Sequence, residues 1–349
     1  MLGPNADDPS ALFGCYSFAN HVLAQHPDVP LGLSVPSVLD ALRSEREGVE
    51  VVHARGCDVD TDDTSGFGAA LEAADGADAV VVVLGDRAGL FGRGTSGEGC
   101  DADSLALPGA QQQLLDAVLA TGTPTIVVLF AGRPYALGAA VTGAAAIVQT
   151  FFPGEEGTGA VAGVLSGRVN PSGRLPVSVP AHAGSQPSTY LAAPLARKNG
   201  VSNVDPTAAF SFGHGIGYAG FAWSSTEPVV EGASASVTIT VTNTGDRAGT
   251  DVVQLYLHDP VASVVRPVQR LLGFRRVSLE AGATVTLTVS VPFDTTSFTN
   301  RAGVRVVEPG EIVLGFGRSS ADIPIAHSVQ VTGATREVGY DRALHVTWV

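Results

Sequence analysis

The sequence predicts two domains of different class, an open doubly wound α/β domain followed by an all-β sandwich. Three observations carry the prediction. Up to about residue 215, short unbroken apolar runs alternate with helical patterns. After about residue 222 the pattern changes to apolar residues alternating with Thr and Ser. The length, 349 residues, also exceeds one ordinary domain.

The chain opens on Met1-Leu2-Gly3-Pro4-Asn5, and Gly-Pro-Asn has the character of a loop that follows a strand. Met1 is the only methionine. The expectation is a polypeptide that begins upstream, with Met1 as an internal strand residue. Gly66 to Ala74 predicts a helix leading into Ala79-Val80-Val81-Val82-Val83-Leu84-Gly85. A run this apolar, without polar alternation, is a strand buried on both faces, as in a parallel sheet covered by helices. Thr125 to Phe130 and Ala145 to Thr150 predict two more such strands. A helix from Pro108 to Ala120 lies between the first two, with Leu114, Leu115, Val118 and Leu119 on one face. Pro108 suits the first turn of a helix, where its missing N–H costs nothing. A further helix, Gly154 to Ser166, follows the third strand. The order β-α-β-α defines the α/β class.

In the second part, Val237, Ile239 and Val241 alternate with hydroxyl residues before the turn Asn243-Thr244-Gly245-Asp246. Val253, Leu255 and Leu257 alternate next, then Val285, Leu287, Val289 and Val291. Glu311 to Gly317 and His327 to Thr332 add short strands. About seven strands divided by turn signals read as an antiparallel immunoglobulin-like sandwich. The expected division is 1–215 for the α/β domain, 216–227 for a linker, 228–334 for the sandwich and 335–349 for a tail.

Composition restricts the partners. The formal net charge is -14, and the densest basic stretch, Arg266 to Arg276, sets its arginines among apolar residues. Such an acidic surface repels phosphate backbones and anionic lipid, so neither nucleic acid nor membrane is expected. Cys15, Cys57 and Cys100 form no CxxC pair and read as small buried apolar residues. No apolar run approaches the roughly 18 residues of a membrane span. No basic-then-apolar leader is visible either, so a cytoplasmic location is expected.

The most unusual segment is Gly85 to Asp101, a glycine-rich loop at the carboxyl end of a buried strand, where open α/β sheets place ligands. Gly92-Arg93-Gly94-Thr95-Ser96-Gly97 formally matches GxGxxG. A dinucleotide fingerprint joins strand directly to helix, however, and here the strand ends several residues earlier and the helix begins later. Two readings remain on pattern alone: a surface loop of solvated charges, or a catalytic loop projecting Glu98 into a cleft. Phe91 could stack on a sugar face or anchor the loop. Arg87 and Arg93 could orient Glu98 or a hydroxyl, or simply be solvated.

Ser96-Gly97-Glu98-Gly99, then Asp101 and Leu105-Ala106-Leu107-Pro108-Gly109-x-Gln111, resembles the acid/base loop and following helix of glycoside hydrolase family 3. This family includes β-glucosidases, β-xylosidases and N-acetylglucosaminidases. Gly3-Pro4-Asn5-Ala6, Gly132-Arg133-Pro134-Tyr135, Pro153-Gly154-Glu155-Glu156-Gly157 and the run Gly167 to Pro176 are similar to other family segments, in order and spacing. Phe212 to Tyr218 resembles the family's linker motif. Arg266-Pro267, Leu272-Gly273-Phe274 and Glu308-Pro309-Gly310-Glu311 resemble its fibronectin-III-like domain. Taken alone, Glu155 and Glu156 read as helix-opening charges that complement the dipole.

The resemblance implies hydrolysis of a terminal β-glucoside or β-xyloside with retention, with no cofactor or metal. Glu98 would be the general acid/base, kept protonated by apolar or like-charged surroundings. Phe91 and Arg93 would contact the sugar. The family's nucleophile is an aspartate in a Ser/Thr-Asp-Trp-like motif on an N-terminal (β/α)8 barrel. Neither Trp223 nor Trp348 follows an Asp, and none of Asp86, Asp101 and Asp103 fits that motif. The implied enzyme is therefore incomplete: a separate barrel is the expected partner, the chain alone is expected to be inactive, and an uncovered surface would favour self-association. The alternative is a non-catalytic carbohydrate-binding or partner-docking protein.

Overall fold

The computed structural model describes residues 1–23, 25–26, 28–185 and 189–349. They form two compact units: Met1–Val169 with Val179–Pro187, and Asn170–Ser178 with Ser188–Val349.

The first unit is built on a parallel sheet of β1 (Val80–Gly85), β2 (Thr125–Phe130) and β3 (Ala146–Gln149), in that spatial order. Residues 1–5 run beside β1. The Leu2 N–H donates to the Val81 carbonyl at 2.8 Å, and the Val83 N–H donates to the Leu2 carbonyl at 2.8 Å. Ala54 bridges to Leu2 from the other side. These residues thus meet the free edge of β1.

Pleating explains the unbroken apolar runs. Val80, Val82 and Leu84, with Val127 and Leu129, face a core closed by α2 (Phe67–Ala74) and α3 (Gln111–Leu119). Val83, Val128 and Phe130 face the opposite core, with Val38 of α1 (Val38–Glu45) and Val161 of α5 (Gly157–Ser166). Burying such a side chain stabilises by roughly 1.5–3 kcal/mol, so a strand covered on both sides has no place for polar alternation. A short helix, α4 (Ala140–Gly143), precedes β3.

Two helix starts differ from expectation. Pro108 lies in a turn before α3, whose N-cap is Ala110. Gly109, at φ +54°, sits between them, so the helix begins only after that turn. Likewise α5 starts at Gly157, and Glu156 is its N-cap. Helix α1 went unpredicted, although Ser37 and Asp40 form a full capping box at its start.

The second unit pairs two antiparallel sheets. One runs β13 (Ile325–Val331), β12 (Gly310–Gly317), β7 (Gly249–His258) and β8 (Arg270–Leu279). The other runs β15 (Thr347–Trp348), β9 (Thr284–Pro292), β6 (Ser234–Asn243) and β4 (Phe221–Ser225), with β5 (Val229–Glu231) also on β6. A small third sheet holds β10 (Phe298–Thr299), β11 (Arg305–Val307) and β14 (Arg336–Glu337).

The register sets Val237 opposite Val289 and Ile239 opposite Leu287, all within the core. On the outer face Thr238 meets Thr288 and Thr242 meets Thr284 through their hydroxyls, at 3.0 and 2.9 Å. The residues expected as linker contain β4, and those expected as tail contain β14 and β15. Strand β8 coincides with the basic stretch: it is an edge strand, and its exposed Arg275 and Arg276 obscure the period of two.

Candidate active site

The carboxyl end of β1 carries Asp86, which is fully buried at 0% exposure. Its carboxylate accepts hydrogen bonds from the Thr95 hydroxyl at 2.7 Å, the Gly132 N–H at 2.7 Å and the Tyr135 hydroxyl. Burial, then the Asp86 charge, pushes the Tyr135 phenol pKa up, so Tyr135 remains a donor. Three neutral donors thus satisfy a buried anion. Gln111 completes the strand end. Its Oε1 accepts from the Gly85 N–H at 2.7 Å, and its Nε2 donates to the Gly85 and Val59 carbonyls, each at 2.8 Å. This is the physical role of the glutamine in the Leu-Pro-Gly-x-Gln run.

Residues 87–100 then fold back on themselves. The Thr95 N–H donates to the Arg87 carbonyl at 2.9 Å, the Gly89 N–H to Ser96 at 2.9 Å and the Phe91 N–H to Glu98 at 2.8 Å. The Arg133 guanidinium donates to the carbonyls of both Thr95 and Cys100, on either side of Glu98. Ser96 is buried against Gly132, where a Cβ would stand 2.2 Å from the serine Oγ. Gly97 has φ +130°, and a Cβ there would meet the Gly89 carbonyl oxygen at 2.0 Å. The Ser-Gly-Glu-Gly pattern thus has a local cause: the serine is buried, the first glycine permits close approach, and the glutamate that follows is exposed.

Glu98 is met by the Tyr16 hydroxyl, which donates to its carboxylate. That hydrogen bond to Glu98 is the main cause of a raised Tyr16 pKa. Tyr16 comes from the segment after the first strand-loop, 82 positions away in sequence, and the sequence carried no signal for it. It stands just before a π-helical turn, Phe18–Val22, capped by Ser17. Beside these residues lies an open cleft of about 530 Å³, with Phe13, Asn20, His21, Arg87, Phe91 and Arg93 among its lining residues.

Phe91 and Arg93 therefore share a cleft, and Phe91 is joined to Glu98 through its backbone. Phe91 is 68% exposed although its φ is +56°, a left-handed conformation that costs a non-glycine residue of order 1–3 kcal/mol. Arg87 pairs with Asp60. Among the described residues no group of three His, Cys, Asp or Glu side chains is placed to hold a metal. Cys57 and Cys100 are buried and Cys15 half-buried, all as free thiols, and burial pushes the Cys57 thiol up to about 11.

The other family-like segments serve structure within their own units. Glu155 and Glu156 precede α5, and Arg168 pairs with Glu45 of α1 at 2.7 Å. Arg174 pairs with Asp251 of β7 at 2.8 Å.

This arrangement, an α/β sheet presenting an exposed glutamate on a pinned loop and a separate fibronectin-like sandwich, is matched in known families. The glycosyl hydrolase family 3 C-terminal domain matches residues 1–218, and a fibronectin type III-like domain matches residues 251–320. The chain belongs to glycoside hydrolase family 3 and comprises the C-terminal part of that architecture. A β-xylosidase of Formosa agariphila is 36% identical over 328 residues, covering 92% of this chain and 44% of the relative. The periplasmic β-glucosidase of Salmonella typhimurium is 29% identical, covering 93% of this chain and 45% of the relative.

Among solved structures, a β-glucosidase involved in saponin metabolism from intestinal bacteria superposes with a TM-score of 0.83 at 29% identity. It aligns with 95% of this chain and 50% of its own. The Listeria innocua β-glucosidase in complex with isofagomine gives 0.82 at 30% identity, over 95% and 46%. The chain spans about half the length of the relatives it matches.

Proposed function

We propose that these 349 residues are the acid/base half of a retaining β-glycosidase acting on terminal β-glucoside or β-xyloside units. The observation that carries the reading is Glu98, exposed on an internally bonded loop at the carboxyl end of β1 in a chain of this family. In the first half-reaction Glu98 gives its proton to the glycosidic oxygen as the bond to the anomeric carbon breaks. In the second, its carboxylate takes a proton from the attacking water. The nucleophile, a second carboxylate roughly 5–5.5 Å from the first in retaining enzymes, comes from residues outside these 349.

The Tyr16 hydroxyl donates to the Glu98 carboxylate, and a carboxyl oxygen can accept that bond in either state, so the contact orients the group. Phe91, exposed beside the cleft, offers an aromatic face to a sugar ring, and Arg93 offers donors to its hydroxyls.

The test is hydrolysis of aryl β-glucoside and β-xyloside by the chain alone and after combination with a family 3 barrel. The expected result is turnover only in combination. Turnover by the chain alone would contradict an external nucleophile. Sugar binding without turnover in any combination would favour a carbohydrate-binding module.

A further inference from the structure

We propose that Arg133 and Asp86 are positioning residues for the acid/base, holding Glu98 at a fixed place by clamping the two ends of its loop; this rests on the reading of Glu98 given above. Arg133 reaches from the loop after β2 and donates to the Thr95 and Cys100 carbonyls, five residues apart, with Glu98 between them. Asp86 holds the same loop from beneath, accepting from the Thr95 hydroxyl, and it also accepts from Gly132, the residue beside Arg133. Thr95 is the shared node: its hydroxyl goes to the buried carboxylate and its carbonyl to the guanidinium.

The arrangement suits a planar fork. A guanidinium can meet two separate carbonyls with a fixed angle between its donors, which a lysine ammonium cannot reproduce. The clamp is also indifferent to the sugar, because every partner is backbone or a neighbouring side chain. Its effect on catalysis passes through the placement of Glu98. A displacement of about 1 Å at a reacting group costs on the order of 10²-fold in rate.

Two measurements separate this role from general support. In the 349-residue chain, Arg133→Ala is expected to speed hydrogen exchange of the Gly89, Phe91 and Cys100 amides at least about tenfold. The amides of β1 and α3 should keep their protection. In the chain combined with a family 3 barrel, Arg133→Ala should lower kcat/KM on an alkyl β-glycoside by about 10²-fold. A dinitrophenyl β-glycoside, whose leaving group needs no proton, should be nearly unaffected.

Arg133→Lys should fall between wild type and Arg133→Ala in both assays, and it serves if Arg133→Ala does not fold. Unchanged loop exchange would overturn the clamp. Equal losses on both substrates would overturn the positioning role. Glu98→Ala, measured beside them, tests the underlying reading: if it too shows no dependence on the leaving group, the acid/base assignment fails, whatever the exchange data show for Arg133.

Discussion

Two buried aspartates, one in each compact unit, are satisfied in opposite ways. Asp251, in the sandwich unit, meets the Arg174 guanidinium at 2.8 Å and the Trp223 indole N–H at 2.8 Å. Its partners lie on the 170–178 segment and on β4, so it fastens one part of its own unit to another. Burial draws the Arg174 pKa down even beside that carboxylate, the mark of an ion pair taken out of water. Among the described residues the donors to the Asp86 carboxylate are neutral, and one of them belongs to the loop that carries Glu98. Backbone strain follows the same division: among the described residues the non-glycine positive φ values are at Phe91 and Phe151, both in the first unit. The buried aspartate in the sandwich supports a scaffold, whereas the one in the α/β unit supports an exposed loop with a strained residue, Phe91.

The comparison can be broken by mutation. Asp251→Ala strips the partner from a guanidinium with 13% side-chain exposure. It should cost about 3–5 kcal/mol of stability by urea unfolding, the range for breaking a buried pair, and leave the Glu98 loop's hydrogen exchange unchanged. Asp86→Asn keeps the shape but sets an amide donor among donors. A loss of about 1.5–3 kcal/mol is expected, with faster exchange confined to residues 87–100. If both variants destabilised alike and neither touched the loop, the distinction would collapse.

Phe91→Gly removes the left-handed strain at little loss of buried area, and should raise stability by about 1 kcal/mol while weakening sugar binding. A stability loss would place Phe91 among the packing residues instead.

The smallest effect is acid sensitivity, shared by both units. Burial is the first cause that lowers the pKa of His53 in one unit and of His214 in the other. The unfolded chain then takes up protons at the ordinary value, 6.5, before the folded chain does. Stability should therefore fall as pH drops below about 6.5, and level off below the lowered folded values. A lower Tm at about pH 5.5 than at about pH 7.5 is expected, and His214→Gln should reduce that difference.

Legibility in the sequence followed the physics of each region. Strands β1 and β2 were plain because burial on both faces demands unbroken apolar runs, and β6 and β9 because burial on one face demands alternation. Strand β3 is only half-buried despite its apolar run, and β7 alternates although it is buried on both faces. Strand β8 was hidden because its arginines belong to an edge. Helix α1 was overlooked, although its capping box was readable from Ser37 and Asp40. At the site, the motif singled out Glu98, Phe91 and Arg93, and the Gly-Arg-Pro-Tyr run held Arg133 and Tyr135 without disclosing their roles. Asp86, on the same sequence segment as Glu98, could be excluded as a family nucleophile but not recognised as the pin beneath the loop. Tyr16 was out of reach, since a contact across 82 residues leaves no local pattern.

The most direct test of the account is the product formed when azide is added to Glu98→Ala, in the chain combined with a family 3 barrel, on dinitrophenyl β-glucoside. With the acid/base removed, the glycosyl-enzyme forms but water is no longer activated. Azide needs no base and attacks from the face that Glu98 vacated. The account predicts restored turnover and a β-glucosyl azide. No rescue, or an α-glucosyl azide, would contradict the assignment of Glu98 as the acid/base.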